Sequence, residues 1–244
     1  MTEKLSNDLE ERCRDLQENL KEIRFRMGEA ALRSGRKPED VELLAATKTV
    51  PVEIINRGIE LGLEHIGENR VQELMDKFGS YKETDVQFIG RLQTNKVKYL
   101  IGRVSMIQSV DSEKLACEIS RLSLKAGCST DILVEVNIGR EENKSGVLPE
   151  ALSELLEKIS PLQGLHVRGL MAIPPFDASK EETRAFFSKM AQYFVDIKSK
   201  RIDNVTMDYL SMGMSGDYED AILCGANLVR VGTALFGPRN YRRE

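Results

Sequence analysis

A chain of 244 residues, 41% of them hydrophobic, can bury one sizeable core, and single barrels of that length are common enough to make one domain over 1-244 the expectation. Lys and Arg total 35 against 39 Asp and Glu, a net charge of -4, which offers no global attraction to nucleic acid or to an anionic membrane. Cys13, Cys117, Cys128 and Cys224 are scattered without C-x-x-C spacing and His65 and His166 are the only histidines, so neither a disulfide framework nor a metal site is indicated.

Leu9, Cys13, Leu16, Leu20, Ile23, Met27 and Ala30 recur at spacings of four and three with charges between them, the pattern of an amphipathic helix. The pattern barely reaches the heptads that a coiled coil needs, so a helix over 1-34 packed on the surface of its own domain is the preferred reading. The first residues, Met1-Thr2-Glu3-Lys4, are not those of a secretory signal, and charges interrupt every hydrophobic stretch. A soluble cytoplasmic protein is expected.

Short runs rich in β-formers then alternate with helix-like segments. Candidate strands lie near 41-48, 64-67, 86-90, 106-110, 131-137, 166-173, 207-212 and 228-232, and eight strands suffice to close a barrel. Pro51, Asp111, Pro149 and Ser215 precede plausible helix starts. Repeated strand-then-helix order predicts parallel strands, and a single (β/α)8 TIM barrel is preferred to an open doubly wound sheet. The segment after the last run, Thr233 to Tyr241 and a charged tail, is too short for a full closing helix. The N-terminal helix is expected to cover that gap.

Lys48 closes the apolar run that begins at Val41. A lysine there can simply snorkel to solvent, but a place at a barrel mouth, where the active sites of such barrels lie, favours chemistry. Two glycine-rich turns, Ser211-Met212-Gly213-Met214-Ser215-Gly216 and Arg230-Val231-Gly232-Thr233, follow the seventh and eighth runs, where barrels often bind phosphate. Gly213, Gly216 and Gly232 let backbone N–H groups approach an anion, Ser215 and Thr233 add hydroxyls, and a helix beginning near Gly216 would add its positive end. Asp208, Asp217 and Glu219 lack a histidine among them, and Asp217 and Glu219 read as helix-start charge. Arg91, Lys96, Lys98 and Arg103, with only Tyr99 for stacking, read as a solvated helix face or as charge at a cofactor mouth and not as a nucleic-acid site.

An amine at one strand end and a phosphate cradle at two others suit a phosphorylated aldehyde held as a Schiff base, which requires the amine in its neutral form when it attacks. Pyridoxal 5′-phosphate is the leading candidate, with Arg230 a cation near the lysine. A barrel acting on phosphorylated sugars like a class-I aldolase uses a similar lysine and phosphate site.

Ala45-Ala46-Thr47-Lys48-Thr49, Ile66-Gly67-Glu68-Asn69-Arg70-Val71-Gln72-Glu73, Phe88-Ile89-Gly90-Arg91-Leu92-Gln93-Thr94-Asn95-Lys96, Gly169-Leu170-Met171 and the two glycine-rich turns together resemble the pyridoxal phosphate homeostasis protein family over nearly the whole chain. The resemblance implies pyridoxal phosphate fold type III, the barrel of the alanine racemase N-terminal domain without that enzyme's second, β-rich domain. It implies that Lys48 carries the cofactor as an internal aldimine, that Ser215, Gly232 and Thr233 bind its phosphate, that Asn69 touches it, and that Arg230 faces the pyridine nitrogen. A guanidinium there cannot accept a proton, so carbanion stabilisation should be weak.

The implied role is intracellular pyridoxal 5′-phosphate homeostasis, buffering the aldehyde or delivering it to apo-enzymes through transient contacts, with the protein a monomer and no catalytic residue assigned. The alternative is a small fold-type-III enzyme such as an amino-acid racemase. Gln87 stands where many members have His, Arg70 where many have Tyr and Ala226 where Ser is frequent, which puts any acid/base duty at those positions in doubt.

Overall fold

The structure, a computed structural model, describes residues 2–238, with side chains from Leu9 onward. The eight apolar runs form β1 (Glu42–Ala46), β2 (His65–Glu68), β3 (Asp85–Phe88), β4 (Met106–Val110), β5 (Thr130–Val136), β6 (Leu165–Ala172), β7 (Val205–Ser211) and β8 (Leu228–Val231). They pair in parallel, in chain order, into a closed barrel, β8 returning to β1 with Arg230 beside Leu44. The predicted strands stand within about two residues of the observed ones, the usual uncertainty of element ends. Residues 239–244, which hold Tyr241 and most of the predicted tail, lie outside the described residues.

Parallel neighbours need crossovers, and helices supply most of them. These are α2 (Val52–Glu60), α3 (Val71–Lys77), α4 (Glu113–Ala126), α5 (Leu152–Ile159), α6 (Lys180–Lys200) and α7 (Tyr218–Leu223), following α1 (Thr2–Arg33) and preceding a last turn, α8 (Thr233–Phe236). The connection from β3 to β4 departs from the strand-then-helix pattern, since only a 3-10 helix, Thr94–Tyr99, spans it. Its Lys96 and Lys98 flank the Tyr99 ring, 5.6 and 5.1 Å from its centroid, and with Arg91 and Arg103 they are exposed.

Side chains alternate across each strand. Leu44, Ile89 and Leu228 meet inside the barrel, as do Met106, Leu133 and Met171, while Ala45, Ile66, Phe88 and Ile107 join the apolar layer under the helices. Lys48, two residues beyond Ala46, continues the inward-facing parity of β1.

The short α8 leaves barrel surface that α1 covers. Leu16, Leu20, Ile23, Met27 and Ala30 are buried, α1 packs against α2, α7 and α8, and the Asn19 side chain donates to the Leu235 carbonyl at 3.1 Å. Among the described residues no helix is long and apolar enough to cross a membrane.

Candidate functional site

Lys48 is half-buried, two residues past the end of β1, and among the described residues it makes no salt bridge. Its neighbours are held tightly. Thr47 is fully buried; its hydroxyl donates to Glu68 Oε1 at 2.8 Å, and its carbonyl accepts from Lys77 Nζ at 3.1 Å. Thr49 has φ +64°, a left-handed conformation that a β-branched residue adopts only under constraint. The constraint is visible: Thr49 N donates to Glu73 Oε1 at 2.5 Å, and Val50 N to the Thr47 carbonyl at 3.0 Å.

This clamp lies behind the barrel wall, and sequence reasoning missed it. Lys77 Nζ spends its three protons on Thr47, Glu68 (3.1 Å) and Glu73 (2.6 Å), and the Tyr81 hydroxyl donates to Glu68 at 2.9 Å. Burial first and the Glu68 carboxylate second push the Tyr81 phenol well above its ordinary range, so it remains a donor. One signal was present, a glutamate closing an apolar strand, the same irregularity that marked Lys48.

The two glycine-rich turns converge. Ser215 Oγ accepts from the backbone N–H groups of Gly232 at 3.3 Å and Ala234 at 3.1 Å, so the loop after β7 is stitched to the turn that opens α8. The helix expected near Gly216 begins instead at Tyr218, with Asp217 at its N-cap position and Asp217 Oδ1 accepting from Met214 N at 2.6 Å. Asp217 thus takes the local backbone donor, and Ser215 is freed from capping to face the neighbouring turn. Gly213, at φ +91°, is required by packing, because a Cβ there would sit 2.5 Å from the Ala221 methyl.

Arg230 is buried within the barrel at 3% exposure. Its guanidinium donates to Ser211 Oγ at 2.6 Å and to the Ala172 carbonyl at 3.0 Å, and among the described residues it has no salt-bridge partner. Burial lowers its pKa to about 10, against the opposing pull of Glu135 and Asp217, so it remains charged at neutral pH. Glu135, also missed in the sequence, is a buried carboxyl that accepts from Ser145 Oγ at 2.8 Å. Burial holds it above the ordinary carboxylate range despite the attraction of Arg230 and Arg91.

Asn69 follows β2 directly and is half-buried. Its place depends on Gly90, where a Cβ would fall 2.0 Å from the Asn69 carbonyl oxygen. Lys48, Asn69, Ser215, Arg230, Gly232 and Thr233 therefore occupy the ends of strands β7, β8, β1 and β2, which are neighbours in that order. Of the three departures, Arg70 is exposed, Ala226 is buried just ahead of β8, at the opposite end from the mouth, and Gln87 is buried inside the barrel. Among the described residues no cluster of His, Cys, Asp and Glu is arranged to hold a metal.

Among the described residues, an unpaired amine, the Ser215 and Thr233 hydroxyls and a buried guanidinium form a donor set suited to a phosphorylated aldehyde with a basic ring nitrogen. Residues 14–240 match the alanine racemase N-terminal domain family. The pyridoxal phosphate homeostasis protein of Aquifex aeolicus is 46% identical over 226 residues, 92% of this chain and 98% of that one. PipY of Synechococcus elongatus PCC7942, solved with PLP bound, is 31% identical with a TM-score of 0.79, covering 91% of this chain and 100% of that one. Alanine racemase from Corynebacterium glutamicum, 14% identical with a TM-score of 0.68, shares the fold, and only 62% of that longer chain is covered. The chain belongs to the alanine racemase N-terminal domain family and, within it, to the pyridoxal phosphate homeostasis proteins.

Proposed function

We propose that this protein binds pyridoxal 5′-phosphate at the mouth of the barrel and serves cytoplasmic homeostasis of that cofactor, buffering it and passing it to apo-enzymes. The observation that supports this reading is the placement of Lys48 just past the end of β1 and of the stitched Ser215–Gly232–Ala234 turn at the same end of its neighbour β8, whose Arg230 is buried. The relatives' names and the PLP-bound PipY support it. When bound, the cofactor supplies an aldehyde that condenses with a primary amine and a phosphate that takes several hydrogen-bond donors.

The chain's own residues divide that work. Lys48 Nζ is the attachment point, held in place by the clamp on Thr47 and Thr49. Ser215, Gly232 and Thr233 receive the phosphate, with the Ser215 hydroxyl proton left to donate while its oxygen accepts from the turn. Asn69 lines the opposite flank and Arg230 meets the ring nitrogen. The chain, 1-244, acts as one barrel domain and as a monomer.

A racemase needs a second proton carrier on the far ring face. Gln87 has no titratable proton and an arginine guanidinium such as that of Arg70 does not deprotonate in proteins, so those positions supply none. The test is intact mass after borohydride reduction of the protein mixed with the cofactor. The wild type is expected to retain the adduct mass and Lys48→Ala to lose it; an adduct that survives the substitution places the linkage elsewhere. Mixing the loaded protein with a pyridoxal-phosphate-dependent apo-enzyme and following recovered activity then tests delivery.

A further inference from the structure

A run of buried polar side chains crosses the barrel interior and ends on Arg230. Arg230 donates to Ser211 Oγ at 2.6 Å. Ser211 Oγ donates to Gln108 Oε1 at 2.7 Å, Gln108 Nε2 to Gln87 Oε1 at 2.6 Å, and Gln87 Nε2 to Asp85 Oδ2 at 2.6 Å. His65 Nδ1 lies 2.7 Å from the same Asp85 oxygen, and His65 Nε2 lies 3.3 Å from Glu42. Arg230 and Ser211 sit at the mouth end of β8 and β7, Gln108 is midway along β4, and Asp85, His65 and Glu42 begin β3, β2 and β1. The chain of bonds therefore runs from the mouth to the opposite end of the barrel.

Its direction is fixed by its ends. A guanidinium can only donate and a carboxylate can only accept, so the hydroxyl rotor of Ser211 and both amide orientations follow from Arg230 and Asp85. Ser211 and Gln108 are fully buried and Gln87 is 4% exposed, so a member turned the wrong way would leave a donor or acceptor with no water to meet it. Aligned dipoles carry part of the compensation for a buried cation that, among the described residues, has no carboxylate in contact. Two of the five guanidinium N–H donors are committed, to Ser211 and Ala172, and the plane of the group is set.

We propose that Gln87, Gln108 and Ser211 are positioning residues, a one-way hydrogen-bond relay that fixes the Arg230 guanidinium for the cofactor ring and is itself oriented by Asp85 at the far end. The proposal rests on the reading that Arg230 meets the bound ring. It also gives Gln87 a role: a neutral imidazole offers one acceptor and one donor as a glutamine amide does, so Gln87→His preserves the relay whereas Gln87→Met, of similar length, breaks it.

The experiment compares wild type, Gln87→Met, Gln87→His and Ser211→Ala, each loaded with pyridoxal 5′-phosphate. It reads the borohydride-trapped mass, the dissociation constant and the visible absorption band, which responds to charge near the ring. All four should trap the adduct. Gln87→Met and Ser211→Ala should bind about tenfold more weakly, roughly the worth of one buried hydrogen bond, with a displaced band. Gln87→His should restore both.

An adduct with wild-type band and affinity in Gln87→Met and Ser211→Ala overturns the relay, and so does a Gln87→His variant as impaired as Gln87→Met. Absence of the adduct in wild type overturns instead the reading on which the relay rests. Ser211→Ala removes a single oxygen, so it keeps the test decisive if Gln87→Met folds poorly.

Discussion

Lys77, the last residue of α3, donates to the backbone carbonyl of Thr47 at 3.1 Å, so the residue directly before Lys48 is held from behind the barrel wall. The lysine that is proposed to hold a cofactor is aimed by a second lysine that does not enter the mouth.

Lys77→Met should show how much that clamp matters. Glu68 is fully buried and Lys77 only 13% exposed at the side chain, and removing one partner of a buried pair costs about 3–5 kcal/mol. Urea denaturation of Lys77→Met is expected to show a loss in that range. Lys158→Ala, which breaks an exposed pair with Glu154 at 50% and 67% exposure, should change stability by less than about 1 kcal/mol. Equal effects would mean that the inner network is no stronger than a surface pair.

Ser215→Ala should separate cradle from attachment. It leaves the Gly232 and Ala234 N–H groups without their acceptor, at a cost of about 1–3 kcal/mol for buried groups and less here because Ala234 is exposed. The borohydride adduct should still form on Lys48 while affinity for the phosphorylated aldehyde falls, and affinity for unphosphorylated pyridoxal should change little. A parallel loss for both ligands would remove Ser215 from phosphate binding.

The far end of the barrel should make stability depend on pH. The hydrogen bond to Asp85 raises the His65 pKa, with burial opposing it. Burial would raise Asp85, but bonds from His65, Gln87 and Ser105 outweigh it and hold the carboxyl below its ordinary value. The raised histidine contributes fully below its unfolded pKa of about 6.5 and loses that contribution as pH rises through the folded value. The lowered aspartate contributes above its unfolded pKa of about 3.9 and loses it as pH falls through the folded value. The pair is thus strongest from about pH 4 to 6.5. Thermal melts of wild type should decline from about pH 6 to 8 more steeply than those of His65→Gln; superimposable slopes would falsify the coupling.

Deleting residues 1–34 should expose the apolar surface now under Leu16, Leu20 and Ile23, and the truncated protein should aggregate. Leu20→Ala, with Leu20 at 3% exposure, tests the same contact mildly, at about 2–5 kcal/mol. A soluble, cooperatively melting truncation would show that α1 is dispensable.

Hydrogen–deuterium exchange at Cα of free amino acids in the presence of loaded protein should remain near background, since neither Gln87 nor Arg70 offers a group that gives up and regains a proton near neutral pH. Robust exchange abolished by Lys48→Ala would make the protein an enzyme.

Much of this architecture was legible before folding. β-rich runs separated by helix signals located all eight strands, because each is a local pattern of burial that the chain must repeat. Lys48, Ser215, Arg230, Gly232 and Thr233 stood out because an amine, hydroxyls, a cation and glycines interrupt or terminate those runs. The start of α7 falls within two residues of the expected position; the cap itself was not legible because Ser215, Gly216 and Asp217 all carry turn signals, and which of them caps depends on the strand that lies beside them. The β3–β4 connection was expected to be helical like its neighbours; its backbone settles into a 3-10 turn with Tyr99 between two lysines.

The order of residues alone determined which strands exist, that they run parallel, and which strand ends carry an amine and a phosphate-fitted turn, since these follow from periodicity and residue chemistry within a few positions. Closure of the barrel decided the rest. It set Ser211 against Gln108, 103 positions away, put Glu68 and Lys77 behind Lys48, and laid α1 over the gap beside α8. Those partners are chosen by which buried polar group needs a donor or acceptor in space, a demand that no local stretch of chain contains.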